Sequence, residues 1–329
     1  MQGKPLIFLF EMVSMKKRFV FIIFSFLLLP SVVLSGASGG QSGFDFLRIE
    51  QGAKAVSMGG AFTAQIADLY GLAYNPASLA GVKDLESTFT YLNHFLDIKS
   101  GFVGFNKVIP NAGHLGIGLF YMNYGEIRRT DIVGNDQGSF SPGDFVINAA
   151  YANSLSSGLR YGVAIKYIQS KIDQYTSNAV ALDVGAIYRV ESQDLNIGVG
   201  ISNLGTALTA FIDEREKPPT SFRLGVSKRL AHLPLCLNLD VFRFLHEESD
   251  QFLGLYWALG GEFTISQYFF LRWGYNSRGG EQKVGTDSDR FAGVSLGFGI
   301  RIKNYRIDYG YSSFGALGSM NTFTVTVPF

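Results

Sequence analysis

The sequence predicts an all-β chain, a transmembrane antiparallel β-barrel of about 14 strands with a small N-terminal hatch segment. Three observations carry that expectation. The last residues, Asn321-Thr322-Phe323-Thr324-Val325-Thr326-Val327-Pro328-Phe329, alternate polar with apolar side chains and end on an aromatic ring. A strand points successive side chains to opposite faces, so Phe323, Val325, Val327 and Phe329 share one surface and Thr322, Thr324 and Thr326 the other. Charged residues make up 17% of the chain, against roughly 25% in an ordinary soluble protein. With 39 glycines and 14% aromatics beside so little charge, much of the surface is expected to face something other than water. Finally, the links between alternating segments are by turns tight and long, as in bacterial barrels with short periplasmic turns and longer external loops.

In chain order, residues 1–37 read as a secretory signal peptide. Lys16-Lys17-Arg18 gives the positive start, residues 19–34 the apolar core and Ser35-Gly36-Ala37 the small-residue cleavage zone. Met12 or Met15 fits such a signal better than Met1 as the start. Cleavage would remove four basic residues and one acidic one, which takes the net charge from +1 to about −2. Bulk charge then points to no nucleic-acid partner. Beyond Leu34 no apolar run is long enough for a membrane helix, so membrane residence must come from strands.

Residues 38–84 are rich in Gly and Ala and read as a hatch; residues 85–329 read as the barrel. Tyr161, Val163, Ile165 and Tyr167 oppose Arg160, Gly162, Ala164 and Lys166, and the same pattern recurs at Leu115-Ile117-Leu119-Tyr121, Leu182-Val184-Ala186-Tyr188 and Leu296-Phe298-Ile300. A soluble sandwich would carry Lys, Glu and Thr on its polar faces. Here those faces are small and sparsely charged, which suits a crowded lumen. Strands are expected to start near Thr88, Gly101, His114, Asp144, Gly158, Ala179, Asp194, Ser221, Pro234, Phe252, Tyr268, Arg290, Asn304 and Thr322. Tight turns fall at Asn111-Ala112-Gly113, Ser192-Gln193-Asp194 and Lys303-Asn304, with long polar stretches at 126–142, 206–220 and 277–289. Tyr121, Tyr124, Tyr167, Tyr188 and Tyr275 are expected in interfacial aromatic girdles.

Phe46-Leu47-Arg48-Ile49 leads into Gly52-Ala53-Lys54-Ala55-Val56-Ser57-Met58-Gly59-Gly60-Ala61-Phe62, followed by Ala67-Asp68 and Asn75-Pro76-Ala77-Ser78-Leu79. This resembles the N-terminal signature of the PorV/PorQ family of outer-membrane barrels. More distantly it is similar to FadL-type transporters of hydrophobic compounds, which share an Asn-Pro-Ala element and hold an N-terminal hatch. Asn123-Tyr124-Gly125-Glu126-Ile127-Arg128-Arg129-Thr130-Asp131 with Gly134-Asn135 and Gly138-Ser139-Phe140 resembles the PorQ branch. The resemblance implies a bacterial outer-membrane location and a non-enzymatic role in type IX protein secretion and attachment, with other secretion-system proteins at the cell surface and outer-membrane lipid as partners. It leaves lipopolysaccharide and hydrophobic small molecules open as further partners, the latter under the alternative of a FadL-like transporter. Its hatch motif maps to Met58, Gly59, Gly60, Ala61, Asp68, Asn75, Pro76 and Ala77. Family members often carry paired acidic residues after the Ala-rich stretch, and here Asp68 stands alone.

No chemistry-bearing constellation stands out. His94, His114, His232 and His246 are dispersed, the single Cys236 supports neither a disulfide nor a cysteine zinc site, and no GxSxG elbow or phosphate loop occurs. No enzyme activity, cofactor or metal is expected. The inward charges Arg160, Lys166, Asp183, Arg189, Arg223, Asp240, Glu262, Arg272, Arg301, Arg306 and Asp308 are expected to pair across the lumen and grip the hatch. Partner docking is expected from two loops that mix charge with apolar groups, at Arg128, Arg129, Asp131, Asn135 and Phe140, and at Phe211, Asp213 and Arg215.

Overall fold

The computed structural model describes residues 43–82, 85–156, 158–213, 215–245 and 254–329. The expected signal peptide, His246, the strand start at Phe252 and Glu214 of the long 206–220 link lie outside them. Strands β1 (Glu86–Asn93), β2 (Lys99–Ile109) and β3 (Gly113–Asn123) are followed by a short ribbon of β4 (Ile127–Thr130) and β5 (Asp136–Phe140). The series continues with β6 (Gly143–Ser156), β7 (Leu159–Ile172), β8 (Tyr175–Val190), β9 (Leu195–Thr209), β10 (Ser221–Arg229) and β11 (Leu235–Phe244). It ends with β12 (Tyr256–Thr264), β13 (Phe269–Asn276), β14 (Val294–Ile302), β15 (Tyr305–Ser313) and β16 (Ser319–Pro328). All but β4 and β5 form one closed antiparallel barrel, a ring of 14 strands. Closure pairs the first strand with the last, from Glu86 opposite Pro328 to Asn93 opposite Asn321. The ring itself leaves no open strand edge.

Side chains alternate as the sequence requires. In β7, Val163, Ile165 and Tyr167 are exposed on the outside, while Ala164, Lys166 and Ile168 are buried within. Phe89, Ile117, Leu182, Leu239, Leu296 and Phe323 continue the outer apolar surface. Among the described residues no helix is long and apolar enough to cross a membrane. Ile165 lies midway along β7 and is 61% exposed. Ile165→Arg is expected to lower the unfolding free energy in lipid by about 2–4 kcal/mol, the cost of an arginine on a barrel's lipid face near the midplane. Urea titration in liposomes measures it, and an unchanged midpoint would place this face in water.

Phe329, the start of β1 and most of the tight turns share one end of the barrel; the long links share the other, where Gly43 packs against Glu216. Several expected details shift. β14 begins at Val294, because Asp287–Phe291 forms a 3-10 turn where the strand was expected to start at Arg290. The link after β9 starts only at Ala210. Tyr124 leaves the expected girdle: it packs on the buried cluster and its hydroxyl donates to Asp144. Tyr121, Tyr167 and Tyr188 do face outward. Of the inward charges, Arg189 and Arg301 sit at the rim. Arg189 pairs with Asp194 at 3.1 Å, and Arg301 lies over the Phe270 ring. The ladder between β8 and β9 shifts register twice; at the shift between Leu182 and Val184, Asn203 takes φ 58° and its N–H donates to Asp183 at 2.7 Å. Lys166 completes that cluster, 2.6 Å from Asp183 and 2.7 Å from Asn203, so a buried cation and anion satisfy each other across neighbouring strands.

Candidate functional site: a filled lumen beneath a loop platform

The segment 43–82 lies against the inward face of the barrel. A one-turn helix at Ala53–Ser57 is buried apart from Lys54, and its amide at Ala53 donates to Thr324 at 3.0 Å. Met58 is buried, with its sulfur 3.6 Å from Asn238. The chain reverses at Gly59 (φ 65°) and Gly60 (φ 77°), a backbone region that favours glycine. The Gly59 carbonyl accepts from Asn276 at 3.0 Å. Ala61 is buried beside Phe242 and Ala258.

The approach is closest over glycines of the wall. A Cβ added at Gly260 would stand 2.6 Å from Met58, one at Gly225 2.8 Å from Thr63, and one at Gly310 2.6 Å from the Ala53 carbonyl. Gly162, Gly185, Gly198, Gly274 and Gly297 are equally occluded by Pro76, Asn75, Thr63, Met58 and Ser57. Where β11 carries Asp240 in place of glycine, its carboxylate accepts from the amides of Phe62 and Thr63, both at 3.0 Å, and from the Thr63 hydroxyl at 2.6 Å. On the remaining arc a threonine row receives the segment. The Tyr70 hydroxyl bonds to Thr88 at 2.8 Å, to Thr324 at 3.3 Å and to Thr90.

Asn75 explains the Asn-Pro-Ala spacing. Its Oδ1 accepts from the Ala77 amide at 3.1 Å, which leaves Pro76, with no N–H to satisfy, at the first position of the 3-10 turn Pro76–Gly81. Its Nδ2 donates to the carbonyls of Thr63 at 2.9 Å and of Ala186 and Val199 at 3.3 Å. One side chain therefore shapes the turn and ties it to two wall strands. Asp68, with a fully buried carboxylate, is held by Lys54 at 3.3 Å and by Arg306 at 3.4 Å. The chain of charge continues through Asp308, 2.7 Å from both Arg306 and Arg272, to Glu262, 2.7 Å from Arg272. Lys54, Asp68, Arg306, Asp308, Arg272 and Glu262 thus balance one another. Arg160, expected to pair across the lumen, stands outside this network, its buried Nε and Nη1 unpartnered among the described residues. Two small cavities remain toward the long-loop end: about 50 Å³ between Phe102, Phe120, Val146, Arg223 and Phe244, and about 100 Å³ beside Asn276, Arg278 and Ser312.

Outside the barrel, β4 and β5 form a two-stranded ribbon where the sequence predicts a polar loop. Arg128 pairs with Asp136 at 3.1 Å, Ser139 donates to Glu126, and Arg129 pairs with Asp173 while lying 5.8 Å over Phe140. Asp173 sits on the β7–β8 turn with φ 55°. It was missed because this turn is tight although it lies at the long-loop end. At the ribbon's tip Asp131 accepts from the amides of Val133 at 3.0 Å and Asn135 at 2.8 Å and from the Asn135 side chain at 2.8 Å. Ile132 and Val133 project fully into solvent. Phe211, half-buried, and the exposed Asp213 and Arg215 lie on the separate β9–β10 link.

The family described as type IX secretion system protein PorV matches residues 40–229, more than half of the chain. The chain belongs to the PorV family. The matched span takes in the lumenal segment, the ribbon and β1 to β10, and this PorV-family chain then completes its barrel with six further strands. No curated protein sequence matches it. Among solved structures, the Pseudomonas putida toluene transporter TodX superposes with a TM-score of 0.54 at 12% identity, covering 84% of this chain and 96% of that one. The Ralstonia pickettii toluene transporter TbuX gives 0.53 at 13% identity, covering 84% and 96%. At such identities the likeness establishes the shared fold.

The tip of the PorV-family ribbon has a readable pH response. Hydrogen bonds, first that from the Asn135 side chain and then that from its amide, hold the Asp131 carboxyl below its ordinary 3.8. A depressed carboxyl stabilises the folded tip above its unfolded value and ceases to do so as pH falls through the lower folded one. Amide exchange at Val133 and Asn135 should stay protected at pH 5 and be lost only below pH 3.8. Asp131→Ala should remove the protection at both, and unaltered exchange in that variant would contradict this account.

Proposed function

We propose that this protein is an outer-membrane docking component of the type IX secretion machinery, whose filled barrel serves as a platform and whose external ribbon binds a surface partner. The observation that carries the reading is the ribbon itself. Its apolar tip, Ile132 and Val133, is raised into water on a frame braced by Asp131, Arg128–Asp136 and Arg129–Asp173. Exposed apolar groups on a pre-ordered support lose little entropy on binding, so they suit a protein partner. Among the described residues no group of three His, Cys, Asp or Glu side chains is placed to hold a metal. The family supplies the secretion context, and docking replaces chemistry as mechanism.

Ile132→Ser/Val133→Ser should fold normally and weaken capture of the surface partner by about tenfold or more, since truncating a buried interface anchor commonly costs 2 kcal/mol or above. Pull-down from cells carrying either form measures it. Gene deletion with surface proteomics tests the wider reading: exported proteins with the C-terminal sorting domain should detach. Retained attachment with impaired uptake of a lipophilic compound would instead favour a conduit of the kind named for TodX and TbuX. The aromatic cluster of Phe242, Phe244 and Tyr256 is the feature that favours that second reading. A conduit would require the segment in the lumen to move.

A further inference from the structure

Residues 43–51 are seated differently from the rest of the lumenal segment. The Phe46 ring stacks on Phe120 with centroids 6.1 Å apart and planes within 8°. The Arg48 guanidinium lies 4.5 Å over Phe244, the last residue of β11, and its carbonyl accepts from Arg278 at 3.2 Å. Glu50 accepts from Asn276, the last residue of β13, at 2.8 Å. Gly43 packs against Glu216 on the β9–β10 link. Every one of these partners belongs to the long-loop end. The opposite end is filled by Asp68 and the Arg306–Asp308–Arg272 chain. The backbone therefore runs down the lumen from the long-loop mouth to the tight-turn mouth before β1 begins. Gly52, at φ 83°, marks the break between the two parts.

We propose that residues 43–51 are an outer stopper, inserted from the cell exterior and reachable from that side, separate from the hatch that closes the periplasmic side. This rests on the outward orientation given above to the long loops. The Asp45 side chain is 56% exposed at the mouth. The stopper is held by ring contacts, the Arg48–Asp45 pair, part-buried hydrogen bonds from Asn276 and Arg278 and a single buried bond from the Gln51 amide to the Tyr74 hydroxyl. The hatch is held by buried ion pairs and a socket of glycines. Contacts of the first kind open at lower free energy than those of the second. Release of the stopper alone uncovers a vestibule lined by Phe102, Phe120, Val146, Arg223 and Phe244, with the hatch still in place beneath it. The device is an autoinhibitory contact over a cationic and aromatic cavity.

The test is cysteine accessibility in intact cells carrying the full chain with Cys236→Ala, read with a membrane-impermeant maleimide. Asp45→Cys should label from outside, as should the ribbon-tip control Ile132→Cys, while Asn304→Cys on a periplasmic turn should not. Val146→Cys should be protected, and adding Phe46→Ala/Arg48→Ala should raise its labelling rate about tenfold, equivalent to about 1.4 kcal/mol of lost seating, without opening conductance in planar bilayers. Asp45→Cys that labels only after permeabilisation, with Ile132→Cys labelled, overturns the stopper and leaves the docking reading intact. Val146→Cys that reacts equally with and without the stopper contacts also overturns it. Labelling of Asn304→Cys but not Ile132→Cys in intact cells reverses the orientation and takes both readings down.

Discussion

Replacing Asp68 by alanine should lower the stability of the plugged state by about 3–5 kcal/mol, the range for removing one partner of a buried ion pair. The carboxylate has no exposure and faces two cations, Lys54 from its own segment and Arg306 from β15. It also accepts the Tyr70 amide at 3.1 Å, so its loss takes a partner from three donors at once. Lys54 retains Gln65, at 3.3 Å, and the Phe62 ring, 5.5 Å away, but no carboxylate partner among the described residues, while Arg306 keeps Asp308. Lys54 is therefore left the poorer. Amide exchange across 53–81 in detergent should rise in the variant while the barrel strands stay protected, and planar bilayers should show new openings. Asp68→Ala/Lys54→Met, which removes the stranded cation as well, should recover part of the loss. An Asp68→Ala protein with unchanged exchange in the segment would show that the ion pairs do not hold it.

The second large effect is steric. Gly260→Val should displace the segment, because even a Cβ there would lie 2.6 Å from both the Cβ and the carbonyl oxygen of Met58. Forcing extra methyl groups into a packed interior costs about 1–3 kcal/mol, and here the backbone carbonyl blocks relief by a rotamer change. Gly225→Val, aimed at Thr63, should add to it, and together the two should favour an unplugged barrel with stable conductance. Gly200 is the internal control: a Cβ there meets nothing nearer than 3.6 Å, so Gly200→Ala should change neither conductance nor thermal unfolding by a measurable amount. If Gly260→Val behaves like Gly200→Ala, the glycines are not a socket.

Barrel topology was legible because alternation is a local property. Odd and even residues of Thr322 to Phe329 must part to two faces whatever they touch, and the ring of 14 strands follows from repeating that pattern between turns. Some elements were misjudged where tertiary partners override local signal. Tyr124 reads as a girdle tyrosine, yet Asp144 draws its hydroxyl inward. Residues 127–130 and 136–140 read as polar loop because a two-stranded ribbon standing in water has no buried face to impose alternation. Its brace, the Arg129–Asp173 pair, spans 44 positions and leaves no trace in spacing. The polar inward residues were visible as a set, but not their pairings.

The sequence by itself determined a membrane-type barrel, its strand number, the end that carries the long loops and a family signature at Met58-Gly59-Gly60-Ala61 and Asn75-Pro76-Ala77. Those features rest on side-chain periodicity and on backbone preferences of single residues, both short-range. Only the tertiary structure decided that wall glycines on β7 to β15 and the threonines of β1 and β16 form a seat for residues 53–82, that Asp68 closes a five-member chain of charge with β12, β13 and β15, and that residues 43–51 fill the opposite mouth. These are contacts between positions up to 271 residues apart. They arise when the ring closes around residues 43–82, an event that no window of sequence contains.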